Sequence, residues 1–177
     1  MTKIPTQLRS GELTTILDQI RKDYGQLSRS GSIDGLVIAD QDAKVLAVNT
    51  FFDDKINYWD IGAIGAALYG VSKQGKDFFK SSEIDRTMIS YKDTQFFVQR
   101  IGDIDLDNGR QRELLLIVIG NKALNIGLVI LQMQKYATKI RIQVEDDVAI
   151  KDHLQMSETE FNNHLLEIKK ELFQLAK

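Results

Sequence analysis

Cysteine is absent from the 177-residue chain, which removes disulfide frameworks, thiolate zinc sites and thiol nucleophiles in one step. Histidine is scarce: only His153 and His164 are present, both near the C-terminal end. Serines are plentiful, but no spacing sets one with a histidine in a triad-like arrangement. An excess of basic charge is also missing, with 23 Lys and Arg against 25 Asp and Glu, a net charge of −2 and a pI near 5.7. That balance argues against a nucleic-acid platform, which carries a basic patch and excess. No run approaches the roughly 18 apolar residues of a membrane-spanning helix. The N-terminus lacks the basic-then-apolar order of a signal peptide. The expectation is a cytoplasmic protein without a membrane span.

What remains is an ordinary globular composition, 43% hydrophobic and 27% charged, in a length that suits one domain plus an appendage. From Ser10 the apolar positions Leu13, Ile16, Leu17, Ile20, Tyr24 and Leu27 form one stripe of an amphipathic helix. Ser28 to Ser32 breaks that pattern. Ile33 to Ala39 and Lys44 to Asn49 then read as the strands of a hairpin around Asp40-Gln41-Asp42-Ala43. A second helix is expected from an N-cap near Asp60 to about Lys76, followed by strands at Glu83 to Tyr91, Gln95 to Ile101 and Arg112 to Ile119, with Asp107-Asn108-Gly109 as a turn. Leu114 to Ile119 is apolar at every position, which predicts a central strand covered on both faces. A third helix runs from Leu124 through Ile126, Val129, Met133, Tyr136, Ala137, Ile140 and Val144.

The tail begins near Asp146. Ser157-Glu158-Thr159-Glu160 has the form of a capping box, with Met156 and Phe161 at the positions of a hydrophobic staple. Phe161, Leu165, Ile168, Leu172 and Leu175 follow at alternating spacings of four and three, a short heptad seam. This helix either packs on its own domain or pairs with a partner.

The run IGAIGAALYGVSKQ has no charge between Ile61 and Val71 and comes within one residue of a phosphate-binding loop. Val71 stands where that loop needs its lysine, and the glycines lie inside a helical apolar pattern rather than in a loop ahead of a helix. Packing is therefore the expected purpose. A helix apolar all round is buried all round. Ile61, Ile64, Leu68 and Val71 are expected to cover the chain's own sheet. Gly62, Ala63, Gly65, Ala66, Tyr69 and Gly70 are expected to meet the same helix of a second copy across a two-fold axis. The three glycines together sacrifice roughly 3 kcal/mol of helix preference, which close packing must offset.

Two further patterns fail as chemistry. Asp103 to Gly109 echoes a calcium loop, but glycine is missing from its sixth position and Leu114 replaces the closing glutamate. Glu160 and His164 share a helix face, yet two ligands do not make a metal site. Carboxylates are numerous, and no spacing selects a catalytic pair. No cofactor or metal is expected.

In this order the elements resemble the roadblock / dynein light chain family. The resemblance is carried by the first amphipathic helix, the hairpin with GLVIAD and KVLAVN, the helix IGAIGAALYGVS, the strand LLLIVIG, and NKALNIGLVILQMQKYATKI. It covers about residues 11 to 145, leaving 1–10 as a tail and 146–177 as a helical extension outside the common domain. Ala43 departs from the glycine that such hairpin turns often carry. The resemblance implies an α/β fold of order helix, two strands, helix, three strands, helix: a mostly antiparallel five-stranded sheet with helices on both faces, plus the extra C-terminal helix. It also implies a non-enzymatic homodimer that joins through its second helix and the neighbouring strand, and that serves as a platform or regulator of a Ras-like small GTPase. Such regulators reorient the GTPase's own catalytic groups, so no arginine finger is assigned, with Arg86, Arg100, Arg110 and Arg112 the candidates if one existed. Two expectations of other classes stand beside it. One is a small-ligand sensor, which requires a concave apolar cavity with a few convergent polar groups; the other is a hydrolase using the altered phosphate loop.

Overall fold

The computed structural model describes residues 6–80 and 84–174. Its elements are α1 (Thr6–Arg9), α2 (Glu12–Leu27), β1 (Ile33–Asp40), β2 (Val45–Val48), α3 (Tyr58–Gln74), α4 (Lys76–Phe79), β3 (Arg86–Ser90), β4 (Thr94–Asp105), β5 (Gln111–Asn121), α5 (Ile126–Asp146), α6 (Val148–Gln155) and α7 (Glu158–Gln174). The five strands form one antiparallel sheet in the order β2-β1-β5-β4-β3. The expected element order holds, with short helices α1, α4 and α6 added to it. None of the described helices is long and apolar enough to cross a membrane.

β5 lies at the centre and alternates as the pleat requires. Leu114, Leu116 and Val118 enter a core shared with α2 and α5, whereas Leu115, Ile117 and Ile119 enter a second core beneath α3. All six are buried, which is why the run carries no polar residue. On the first face Tyr24 ties α2 to α5: its hydroxyl accepts from the Asn125 backbone N–H at 2.7 Å and donates to the Ser30 carbonyl at 3.2 Å. The Asn125 side chain also caps α5 by accepting from Leu128 N–H at 3.1 Å.

Several boundaries differ from expectation for local reasons. Asn57, not Asp60, caps α3, because its Oδ1 accepts from Trp59 N–H at 3.0 Å, leaving Asp60 in the first turn, where a carboxylate favours the helix dipole. β4 runs past Ile101 to Asp105 across an irregularity between Arg100 and Gly102. The Asp103 to Gly109 stretch is a strand end and tight turn, with Gly109 N–H donating to the Leu106 carbonyl at 2.9 Å. Ala43 adopts φ 67°, the left-handed conformation the hairpin demands of a residue where glycine would be unstrained.

That hairpin buries Asp40. One carboxylate oxygen accepts from Lys44 N–H at 2.8 Å and Asp42 N–H at 2.9 Å, and the other has no partner. Burial pushes this carboxyl from its ordinary 3.8 up to about 6. The neutral acid is the form the fold prefers, so its contribution is fully present below pH 3.8 and is lost as pH rises through about 6. His153 works the other way. Burial first, then His164 and Lys44, push it from 6.5 down to about 4, so its contribution is present above pH 6.5 and lost as pH falls toward 4. Asp40→Asn should therefore remove a loss of stability on the order of 2 kcal/mol between pH 4 and 7, whereas His153→Gln should remove a gain over the same rise. Urea melts of both variants at intervals across that range check the two opposite slopes.

Candidate functional site

Helix α3 is set against the sheet by its smallest residues. A Cβ on Gly65 would lie 2.4 Å from Ile117 Cδ1, and one on Gly62 would lie 2.7 Å from Val45 Cγ2. The backbone rests where no side chain fits, and the glycines serve this chain's own sheet. Gly62, Gly65, Ala66 and Tyr69 are buried there. This corrects the expected orientation: the small-residue face is turned inward. Of the stripe expected to cover the sheet, Ile61 and Leu68 are only partly buried, while Ile64 and Val71 are 42% and 69% exposed. Of the six residues assigned to a dimer contact, Ala63 is exposed and Gly70 is half-buried in open space; the other four are covered by their own domain. The phosphate-loop pattern lies wholly inside this helix, and its glycines form no loop ahead of a helix N-terminus.

The outward ridge of α3 is thus Ala63, Ile64, Ala67 and Val71. It is followed in the chain by α4, where Phe78 and Phe79 are 86% and 83% exposed, and α3 lies beside the edge strand β3. Thr87 Oγ1 donates to Ser72 Oγ at 3.0 Å, joining β3 to α3. The C-terminal half of α3 is pinned electrostatically to β5. Lys73 Nζ sits 2.8 Å from Glu113, Tyr69 OH donates to the same carboxylate at 3.2 Å, and Arg100 Nε lies 3.6 Å from it. Burial and the Glu113 charge push the Tyr69 phenol up to about 12, so it stays a hydrogen-bond donor.

Three of the four candidate arginines are ion-paired: Arg86 pairs with Asp85, Arg112 with Asp42, and Arg100 with Asp103 at 2.5 Å; Arg110 lies in the exposed β4–β5 turn.

At the opposite sheet edge, α6 and α7 fold over β2. Lys44 Nζ donates to the carbonyls of Leu154 and Met156 at 2.9 and 2.6 Å. The capping box forms as expected, with Glu160 accepting from Ser157 N–H at 2.8 Å and Glu160 N–H donating to Ser157 Oγ at 3.3 Å. Phe161, the first residue of the expected partner seam, is buried in this chain, its ring 6.2 Å from Trp59 and 5.3 Å from His153. Leu165, Ile168 and Leu172 follow on α7, and Leu175 lies outside the described residues. A cavity of about 460 Å³ remains between β2, the α1–α2 junction, Trp59 and helices α6 and α7. Sequence reasoning did not place this cavity, because its walls come from five separate parts of the chain. Among the described residues no group of three or more His, Asp or Glu could hold a metal ion.

No family profile matches the chain, and no curated protein matches it in sequence. Solved structures match it in shape. A roadblock/LC7 domain from Streptomyces avermitilis superposes with TM-score 0.59 at 15% identity, covering 76% of this chain and 98% of the other. Myxococcus xanthus MglB gives 0.57 at 13% identity over 75% and 87%, and the gliding protein MglB from Thermus thermophilus gives 0.57 at 10% over 80% and 99%. The chain has the roadblock fold.

Proposed function

We propose that this chain is a cytoplasmic, non-enzymatic interaction module that dimerises along α3 and binds a Ras-like small GTPase on the surface the paired helices create. The observation that carries the dimer is the outward ridge Ala63, Ile64, Ala67 and Val71, followed in the chain by two phenylalanines of α4 more than 80% exposed. Exposed apolar surface of this kind marks a contact site. Ala63 and Ala67 lie one turn apart, so a second backbone can approach closely, while Ile64 and Val71 supply the area to bury. The edge strand β3 lies beside the ridge and offers its free side to its twin. Ala63 and Gly70 carry over from the sequence assignment; Ile64, Ala67 and Val71 replace the four residues that face inward.

The GTPase half of the reading is supported by the roadblock fold and by the resemblance of the sequence motifs to a family of GTPase platforms. Purified protein is mixed with candidate Ras-like GTPases, each loaded with GDP or a GTP analogue, and followed by size exclusion and by the rate of GTP hydrolysis. The expected result is a complex selective for one nucleotide state. No complex and no rate change with any of them would remove this reading and leave the dimer standing alone.

A further inference from the structure

The cavity beside β2 is separate from the α3 ridge and has no part in dimerisation or GTPase binding as read above. Its floor is the sheet edge, Val45 to Ala47, with Leu13 beside it, all buried apolar residues. Its walls carry three rings, Trp59, His153 and His164, the two imidazoles standing 6.2 Å apart between centroids. At 460 Å³ it falls within the range of about 300–1,000 Å³ typical of small-molecule sites. Charge lines it unevenly. Glu12, exposed at the rim with one oxygen 3.9 Å from Lys139 Nζ, and Asp147, one oxygen of which accepts from Ile150 N–H at 3.1 Å, contribute carboxylates, and among the described residues no lysine or arginine lines the cavity. Lys44 lies close by, but its ammonium is turned to the carbonyls of Leu154 and Met156. His153 is held neutral above acidic pH by its burial, so it adds no positive charge.

Each feature selects against some ligands. An anion would meet two carboxylates with no cation among the lining residues to compensate. A small, strongly hydrated cation would gain nothing from an apolar floor. An aromatic body fits between Leu46, Trp59 and Ile150, and an ammonium group is favoured both by the carboxylates and by the indole face. We propose that this cavity binds a small amphipathic aromatic amine, its ring against Trp59 and the β2 edge and its ammonium toward Glu12 and Asp147. Because α6 and α7 supply part of the wall, the bound molecule also fastens the C-terminal helices to the domain.

Trp59 is the only tryptophan in the chain, so its emission reports on this site alone. The full chain is titrated with three probes that share one body: 4-phenylbutylamine, 4-phenylbutanol and 4-phenylbutyrate. The amine is expected to change Trp59 emission saturably and to raise Tm, with the alcohol weaker and the carboxylate at least about tenfold weaker. Glu12→Gln should narrow the gap between amine and alcohol. Ile150→Phe and, at the more exposed wall, Ala149→Phe should fill the space and abolish binding while their melting transitions show intact folds. Lys122→Gln, exposed just beyond β5 and outside both sites, should bind normally. The proposal is overturned if the amine gives no saturable change, if the carboxylate binds as well as the amine, if both filled variants still bind, or if binding is lost in Lys122→Gln.

Discussion

Gly65→Glu is expected to unfold the domain, while Ala67→Glu, two residues further along the same helix, is expected to leave it folded and convert the proposed dimer to monomer. At position 65 even a Cβ would lie 2.4 Å from Ile117 Cδ1 and 2.9 Å from its Cγ1, and Ile117 is fully buried. Overpacking alone costs about 1–3 kcal/mol. A carboxylate placed beside Val98, Leu115 and Ile117 adds desolvation without a partner. The sum is on the order of 5 kcal/mol or more, the scale of a whole domain's stability. Position 67 is exposed, and a glutamate there is solvated in the monomer. Facing its twin across a two-fold axis, it would bring two like charges into an apolar contact. Thermal melts and light scattering on the pair read fold and mass separately. A normal melt for Gly65→Glu would show that α3 is turned the other way, and an unchanged dimer for Ala67→Glu would place the contact elsewhere.

Leu154→Ala is expected to cost about 3 kcal/mol, and truncation after Asp147 considerably more. Leu154 is completely buried and joins the core cluster of the α2 and α5 side. The same turn supplies the carbonyl acceptors of Lys44, which is 2% exposed and whose pKa is lowered by burial. Removing α6 and α7 takes away those acceptors along with the apolar cover of Leu154 and Phe161. Lys44→Met should cost less than the truncation, about 1–3 kcal/mol, since it deprives the Leu154 and Met156 carbonyls of their donor but leaves the apolar cover in place. Urea denaturation of the three variants gives the order. A truncated chain as stable as the full one would mean that the C-terminal helices are a removable partner segment after all.

Much of the architecture was legible in the spacing of side chains. The all-apolar run of β5 required cover on both faces, and α2 and α5 announced their buried stripes by repeats of three and four. The capping box fixed the start of α7 at Ser157, whereas α3 is capped by Asn57 rather than the expected Asp60. The orientation of α3 was not legible, because a helix without a polar face gives periodicity nothing to orient. That decision belonged to clearance: Val45 and Ile117 leave room for hydrogen and not for a methyl group, so the glycines went inward and Ile64 and Val71 went out. The cavity and the Lys44 clasp were hidden for a related reason, since β2 meets α6 more than a hundred residues later in the chain. Local hydrophobic pattern therefore determined which elements form and which are doubly covered. The distances between packed elements, which depend on side-chain volumes from remote positions, decided which face of an ambiguous helix turns outward and where empty space remains.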